Sequence, residues 1–337
     1  MSKRYFFLIR DKLGDSVIAF QALAAFRAAH PADDLTVMVH AHYLPLFTNE
    51  PGYRWVAYRS SFQANFWALR QRLMRRHFDA MVVLRGFGDK VRRLAAILPT
   101  TRRIHAMNRY PETFTASPPL PTAEVLNEDV HIAPAMRALR MLDPALQPPV
   151  QLHLPALKAL SGRAEFVAIC PVSDEIRRSL FPEDVRRILP ELARRHPGVP
   201  VRVLVRHTGE GGFEGDCLPG VEVHAFESIP GLLAALRQSV AYYGCDTGLY
   251  HVAAAMDVPA VVFFGPSQPH KVILPAQRTE AVRLAALGRT HCDFKGCQTP
   301  ICIQRAVARW GGQPQPAADY PSACPLPQRG DAGNGGR

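Results

Sequence analysis

The chain has 337 residues, 47% of them hydrophobic and 20% charged, which fits roughly two domains of about 150 residues each and excludes wholesale disorder. No stretch reaches the roughly 18 apolar residues of a membrane span, and Tyr5–Ile9 is too short for a signal-peptide core, so a cytoplasmic chain is expected. Seven cysteines, all between positions 170 and 324, do not read as a secreted disulfide framework. The net charge of +11 is uneven: residues 1–160 carry 21 basic against 12 acidic side chains, and residues 161–337 carry 19 against 17. Such an excess points to an acidic partner for the N-terminal half, whether phosphorylated lipid, nucleic acid or another anion. Codon bias is the competing reading, since 34 of the 40 basic residues are Arg.

In chain order, Tyr5–Ile9 is a continuous apolar run, the mark of a buried parallel strand. The polar loop Arg10–Asp15 follows. Val17, Ile18, Phe20, Leu23, Ala24 and Phe26 then recur at helical spacing over 16–29, stopping at His30-Pro31. Leu35–Val39 reads as a strand, Phe66–Arg76 as a basic amphipathic helix, Ala80–Leu84 as a strand and Lys90–Leu98 as a helix. Prolines interrupt the pattern over 111–122, a helix fits 128–142, and Pro144, Pro148, Pro149 and Pro155 mark a linker. A second series begins with strand Phe166–Cys170, helix Glu183–Arg195 and strands Val201–Val205 and Val221–Ala225. Helix Pro230–Gln238, strand Val240–Tyr243, helix Leu249–Met256 and strand Ala260–Phe264 complete it. Strands alternating with helices predict parallel sheets with right-handed crossovers. The expected fold class is therefore α/β, with Rossmann-like domains at 1–150 and 151–311 and a disordered tail at 312–337.

Three turns carry the chemistry. The first is Arg10-Asp11-Lys12-Leu13-Gly14-Asp15, after the first strand, where open parallel sheets bind ligands. Gly14 allows a tight turn, and Asp15 reads either as a helix N-cap or as a general base facing a substrate hydroxyl. No G-x-G-x-x-G is present, so the loop is not a dinucleotide fingerprint. The second, Gly244-Cys245-Asp246-Thr247-Gly248-Leu249-Tyr250-His251, runs from strand into helix. Its helix N-terminus suits a pyrophosphate, although Asp246 and Thr247 could equally serve as caps and His251 as a structural histidine. The third, Gly265-Pro266-Ser267-Gln268-Pro269, is by itself only a turn.

Together, in this order, the three segments resemble glycosyltransferase family 9, the bacterial heptosyltransferases of lipopolysaccharide biosynthesis. Its R-x-x-x-G-D is matched by Arg10, Gly14 and Asp15, and its D-[ST]-G-x-x-H by Asp246, Thr247, Gly248 and His251. Its F-G-P-[ST]-x-P is matched by Phe264, Gly265, Pro266, Ser267 and Pro269. The resemblance implies a GT-B architecture of two Rossmann-like domains facing a central cleft, the first binding acceptor and the second nucleotide sugar. It implies inverting transfer of a sugar, in typical members heptose from ADP-heptose, onto a lipopolysaccharide core or related glycan. Asp15 takes the position of the base, with Arg10, Lys12 and Gly14 on the acceptor side. The donor positions are Asp246, Thr247, Gly248, His251, Gly265, Pro266 and Ser267. Helix N-termini and arginines can stabilise a departing diphosphate without metal, and no D-x-D occurs, so no cofactor is expected beyond the nucleotide-sugar substrate.

One position departs from the family pattern. Where K-x-W-P is usual, this chain has Ser179-Leu180-Phe181-Pro182, so Ser replaces the phosphate-contacting Lys, and Gln268 stands where an acid is common. Arg177 and Arg178, just upstream, either replace that charge or are simply solvated. Cys292, Cys297 and Cys302, with His291, read as loosely paired thiols or, less naturally for the spacing, a metal site. Cys245 reads as small filler. The basic segments Arg70–Arg76, Arg85–Arg93 and Arg102–Arg109 fit a phosphorylated glycolipid or glycan acceptor and peripheral contact with the inner membrane surface. Nucleic acid is not expected, because no recognition motif accompanies the charge. The competing functions are a GT-B binding protein that has lost donor chemistry and a sugar-nucleotide epimerase on the same scaffold.

Overall fold

The computed structural model describes residues 2–59, 73, 75–86, 88–116, 130–152, 154, 156, 164–215, 217–284 and 300–312. The chain divides into two compact units, Met1–Ala159 with Leu274–Ala276, and Leu160–Ile273 with Gln277–Arg337.

In the first unit, β1 (Arg4–Ile9) leads into α1 (Leu13–Ala29) and β2 (Asp34–His40), followed by β3 (Tyr53–Tyr58) and β4 (Phe78–Arg85). Then come α2 (Asp89–Ile97), β5 (Thr100–His105), the two-residue β6 (Thr115–Ala116) and α3 (Ala133–Arg140). The sheet order is β3-β2-β1-β4-β5-β6, and every pairing is parallel. β1 is buried because neighbours flank it on both sides and side chains pack on both faces. Tyr5 and Phe7 meet Phe26 of α1 edge-on, with ring centroids 5.3 and 5.7 Å apart. Phe6 turns the other way onto Phe78, 5.6 Å distant. Burying each such ring contributes roughly 1.5–3 kcal/mol.

The second unit repeats the plan. β7 (Phe166–Cys170), α4 (Pro182–Arg195), β8 (Val201–Val205) and β9 (Glu222–Ala225) come first. α5 (Ile229–Arg237), β10 (Ser239–Cys245), α6 (Gly248–Ala255), β11 (Ala260–Phe264), β12 (Thr279–Arg283) and α7 (Ile301–Trp310) follow. Its sheet order is β12-β11-β10-β7-β8-β9, again parallel throughout. α4 starts sharply because Pro182 takes the first helical position and the Asp184 carboxylate accepts from the Phe181 amide at 3.0 Å.

Two predicted boundaries shift. α1 begins at Leu13 instead of 16, so Gly14 is buried inside its first turn instead of forming the preceding one. The helix expected over 128–142 is shorter, Ala133–Arg140, because Pro134 opens it. β3, β5, β6, β12 and α7 were not anticipated. The expected helix Phe66–Arg76 lies almost wholly outside the described residues, as does the expected tail beyond 312. Among the described residues no helix is long and apolar enough to cross a membrane.

Candidate functional site

In the first unit, the carboxyl ends of β1, β2, β3 and β4 bring the chemistry together. The amide of Arg10 donates to the carbonyl of Arg85 at 2.9 Å, locking the loop after β1 against the end of β4. Gly86 follows at φ 114°, and a Cβ there would stand 2.5 Å from the Arg10 carbonyl oxygen, so the close approach requires glycine. Asp15 is not the N-cap of α1. Lys12 holds that position, and its amide donates to Asp11 Oδ1 at 2.9 Å. Asp15 sits one turn in, and its Oδ1 lies 2.9 Å from Arg85 Nη2.

A recess of about 390 Å³ opens beside this loop, with Arg10, Lys12, Arg59 and Lys90 around the single carboxylate of Asp11. His40, Tyr43 and Tyr58 supply aromatic wall, His40 lying edge-on to Tyr58 at 5.1 Å. Burial, then the charge of Asp15, raises the Asp11 carboxyl above its usual range. Burial, then His42 and Arg10, lowers His40 below the ordinary histidine range, so near neutral pH the ring contributes polar surface without charge. Four cations against one carboxylate make the recess a place for an anion.

The expected basic segments divide. Most of Arg70–Arg76 lies outside the described residues, although Arg76 Nη1 stands 3.5 Å from Asp34. Arg92 pairs with Asp89 and Glu112 at 3.6 and 3.4 Å, and Arg103 donates to the Ala95 carbonyl at 2.8 Å. These are local ties. Arg85 and Lys90 instead turn to the loop and its recess. Sequence reasoning missed His40, Tyr43, Tyr58 and Arg59. Their signal was positional: they follow or end parallel strands, where ligands bind.

In the second unit, the three segments of the donor expectation converge within it. Thr247 is the N-cap of α6 but makes no side-chain capping bond. Asp246, 4% exposed, faces Arg178 instead of capping: Nη1 lies 3.5 Å from its Oδ2 and donates to its carbonyl at 3.3 Å. Glu175 gathers both arginines, 2.8 Å from Arg177 Nε and 3.1 Å from Arg178 Nη2. A Cβ on Gly265 would stand 2.8 Å from the Arg177 carbonyl oxygen, so the third motif also abuts this turn. Ser267 and Gln268 are buried there, and among the described residues Ser267 Oγ finds no hydrogen-bond partner. A buried hydroxyl left unsatisfied costs about 1–3 kcal/mol unless a ligand meets it. His251 is buried on α6 with its ring 5.1 Å from that of Tyr250.

Ser179, at the position of the expected lysine, is occupied. It accepts from the Ser173 amide at 3.0 Å, and its hydroxyl reaches the carbonyls of Ser173 and Glu175 at 3.3 and 3.2 Å. It pins the turn that aims Arg178 at Asp246. Cys245 is fully buried and donates its thiol to the Pro171 carbonyl at 2.9 Å, and burial raises its pKa far out of the nucleophilic range. Cys302 packs in α7 against Leu284, Ile301 and Ala306. Cys292, Cys297 and His291 lie outside the described residues.

Residues 218–302 match the family model of glycosyltransferase family 9 (heptosyltransferase), a span containing the second and third motifs but not the first. No curated protein sequence matches the chain. Among solved structures, E. coli heptosyltransferase WaaC with ADP-2-deoxy-2-fluoro heptose is 16% identical, with 91% of this chain and 99% of that one covered at a TM-score of 0.66. E. coli ADP-heptose lps heptosyltransferase II is 18% identical over 92% and 98% of the two chains, at a TM-score of 0.63. The dodecameric iron-containing heptosyltransferase TibC of E. coli, in complex with ADP-D-beta-D-heptose, is 14% identical over 93% and 74%, at 0.55. The resemblance carried by the motifs therefore stands, the two parallel-sheet units have the GT-B fold class, and the matches support a glycosyltransferase.

Proposed function

We propose that the chain is an inverting glycosyltransferase that moves heptose from ADP-heptose onto an anionic lipopolysaccharide core or related glycan. The observation that carries this reading is the second unit's convergence of Asp246, the N-terminus of α6 without a side-chain cap and the unsatisfied hydroxyl of Ser267, all inside the family match, with Arg178 from outside it. Those groups suit a nucleoside diphosphate: amides and a helix dipole for its oxygens, a guanidinium for its charge and a hydroxyl for one more hydrogen bond.

Asp15 takes the proton of the acceptor hydroxyl as that oxygen bonds to the anomeric carbon. The bond from that carbon to the diphosphate breaks on the opposite face, its electron pair leaves with the diphosphate, and Asp15 returns the proton to solvent. A single displacement inverts the anomeric centre. Arg10, Lys12 and Gly14 belong to the acceptor side. The recess gives that side its anionic preference, and with it a phosphorylated acceptor and peripheral contact with a membrane surface in the cytoplasm. Arg177, Thr247, Gly248, His251, Gly265 and Pro266 complete the donor side. The reaction runs without a metal ion, and Cys292, Cys297 and Cys302 have no part in it.

A second reading rests on Ser179: with the lysine position used for turn structure and both arginines met by Glu175, donor chemistry is lost and a binding protein remains. Thermal shift with ADP-, GDP- and UDP-sugars, followed by transfer with and without EDTA, separates the two. Stabilisation by ADP-heptose with EDTA-resistant transfer is expected. Stabilisation by none of the sugars favours the binding protein, and a strict divalent requirement contradicts the metal-free mechanism.

A further inference from the structure

We infer that Arg85 is the positioning residue of the Asp15 carboxylate, holding one of its oxygens so that the other is presented to the acceptor hydroxyl. The inference rests on the reading of Asp15 as the base.

Arg85 is the last residue of β4, and the register between β1 and β4 shifts between Leu8 and Ile9, so that Ile9 pairs with Arg85. A shift of this kind re-aims the side chain at a strand end. The Arg85 backbone is tied in turn by the Arg10 amide. Its side chain is 11% exposed. Nη2 lies 2.9 Å from Asp15 Oδ1 and 3.1 Å from the carbonyl oxygen of His131, a main-chain anchor just before α3. One guanidinium nitrogen therefore bridges the carboxylate and a main-chain oxygen, which ties the Asp15 pairing to the backbone before α3.

The local sequence also keeps Asp15 from its easiest alternative. A carboxylate at the third position of a helix commonly folds back onto the N-cap amide. Here that amide, Lys12, donates to Asp11 Oδ1. Asp11 thus frees Asp15 to face Arg85. The Asp15 side chain keeps 30% of its surface open, so the pairing with Arg85 does not bury the carboxylate. Orientation at the reacting atoms is worth much: a displacement of about 1 Å can cost on the order of 100-fold in rate.

The test uses the full chain with ADP-heptose and heptose-free lipopolysaccharide as probes. In Arg85→Gln, kcat is expected to fall about 10- to 100-fold while KM for ADP-heptose is unchanged. Arg85→Lys should recover part of the loss, and free guanidine should partly rescue Arg85→Ala. Unchanged kcat in Arg85→Gln overturns the inference, as does a matching loss of ADP-heptose affinity, which would mark Arg85 as structural. If Asp15→Asn keeps full transfer, Asp15 is not the base, and the reading beneath the inference fails with it.

Discussion

At the carboxyl end of its sheet the first unit gathers Arg10, Lys12, Arg59 and Lys90 around one carboxylate, whereas in the second unit Glu175 and Asp246 meet Arg177 and Arg178 in close pairs. The strand plans match, yet the two units hold positive potential differently. In the first it comes from four cationic side chains lining one recess. In the second, the arginines are balanced by carboxylates, and the N-terminus of α6 and the Ser267 hydroxyl stand beside them. A count of charges along the sequence saw only the first of these devices, because helix dipoles and unsatisfied hydroxyls carry no formal charge.

The sharpest way to break the comparison is Asp15→Asn. It should lower transfer at least about 1000-fold while leaving ADP-heptose affinity nearly intact, since the proposed base lies in one unit and the proposed donor groups in the other. Equal loss of both, read by kinetics and calorimetry, would make Asp15 structural.

Acid should distinguish the units next. His105 is fully buried in the first, accepts from the Met107 amide at Nδ1, and is lowered by burial to about 4. The unfolded chain protonates it near 6.5 and the folded unit only near 4. Stability contributed by the neutral ring is therefore whole above 6.5 and drains as pH falls toward 4, by up to about 3 kcal/mol. Urea unfolding of Trp310→Phe, which keeps tryptophans only in the first unit, should show about 2 kcal/mol of that loss between pH 7 and 5. A flat profile would refute it.

Replacing Arg177 and Arg178 together with Ala should raise the ADP dissociation constant about tenfold, close to 1.4 kcal/mol. An unchanged constant would leave the donor site to α6 and Ser267 alone. The smallest effect is expected at Lys90→Gln, where acceptor KM should rise about three- to tenfold at low salt and the difference should fade at high salt. A salt-independent change would mean that Lys90 acts through shape.

Central strands were legible because they are buried on both faces and read as unbroken apolar runs: Tyr5–Ile9, Phe166–Cys170 and Ala260–Phe264 each fall within one residue of the observed element. The strands that escaped lie at or next to sheet edges. Thr100–His105 and Thr279–Arg283 mix polar and apolar residues because a solvated edge asks for no more. At the candidate site, the sequence located Asp246 at a helix start and Ser267 after a strand end because these are local signals, whereas Asp15 lies inside the first turn of α1 and not before it.

What the sequence alone determined, then, was two α/β halves, three motifs in order and a charge excess on one side. The tertiary structure alone decided that Asp15 faces Arg85 instead of its own helix, that Ser179 pins a turn, and that Arg10, Arg59 and Lys90 share one recess. The reason is range. Periodicity and capping act over a few residues, while Asp15 and Arg85 meet only because β1 and β4 pair as neighbours in the sheet.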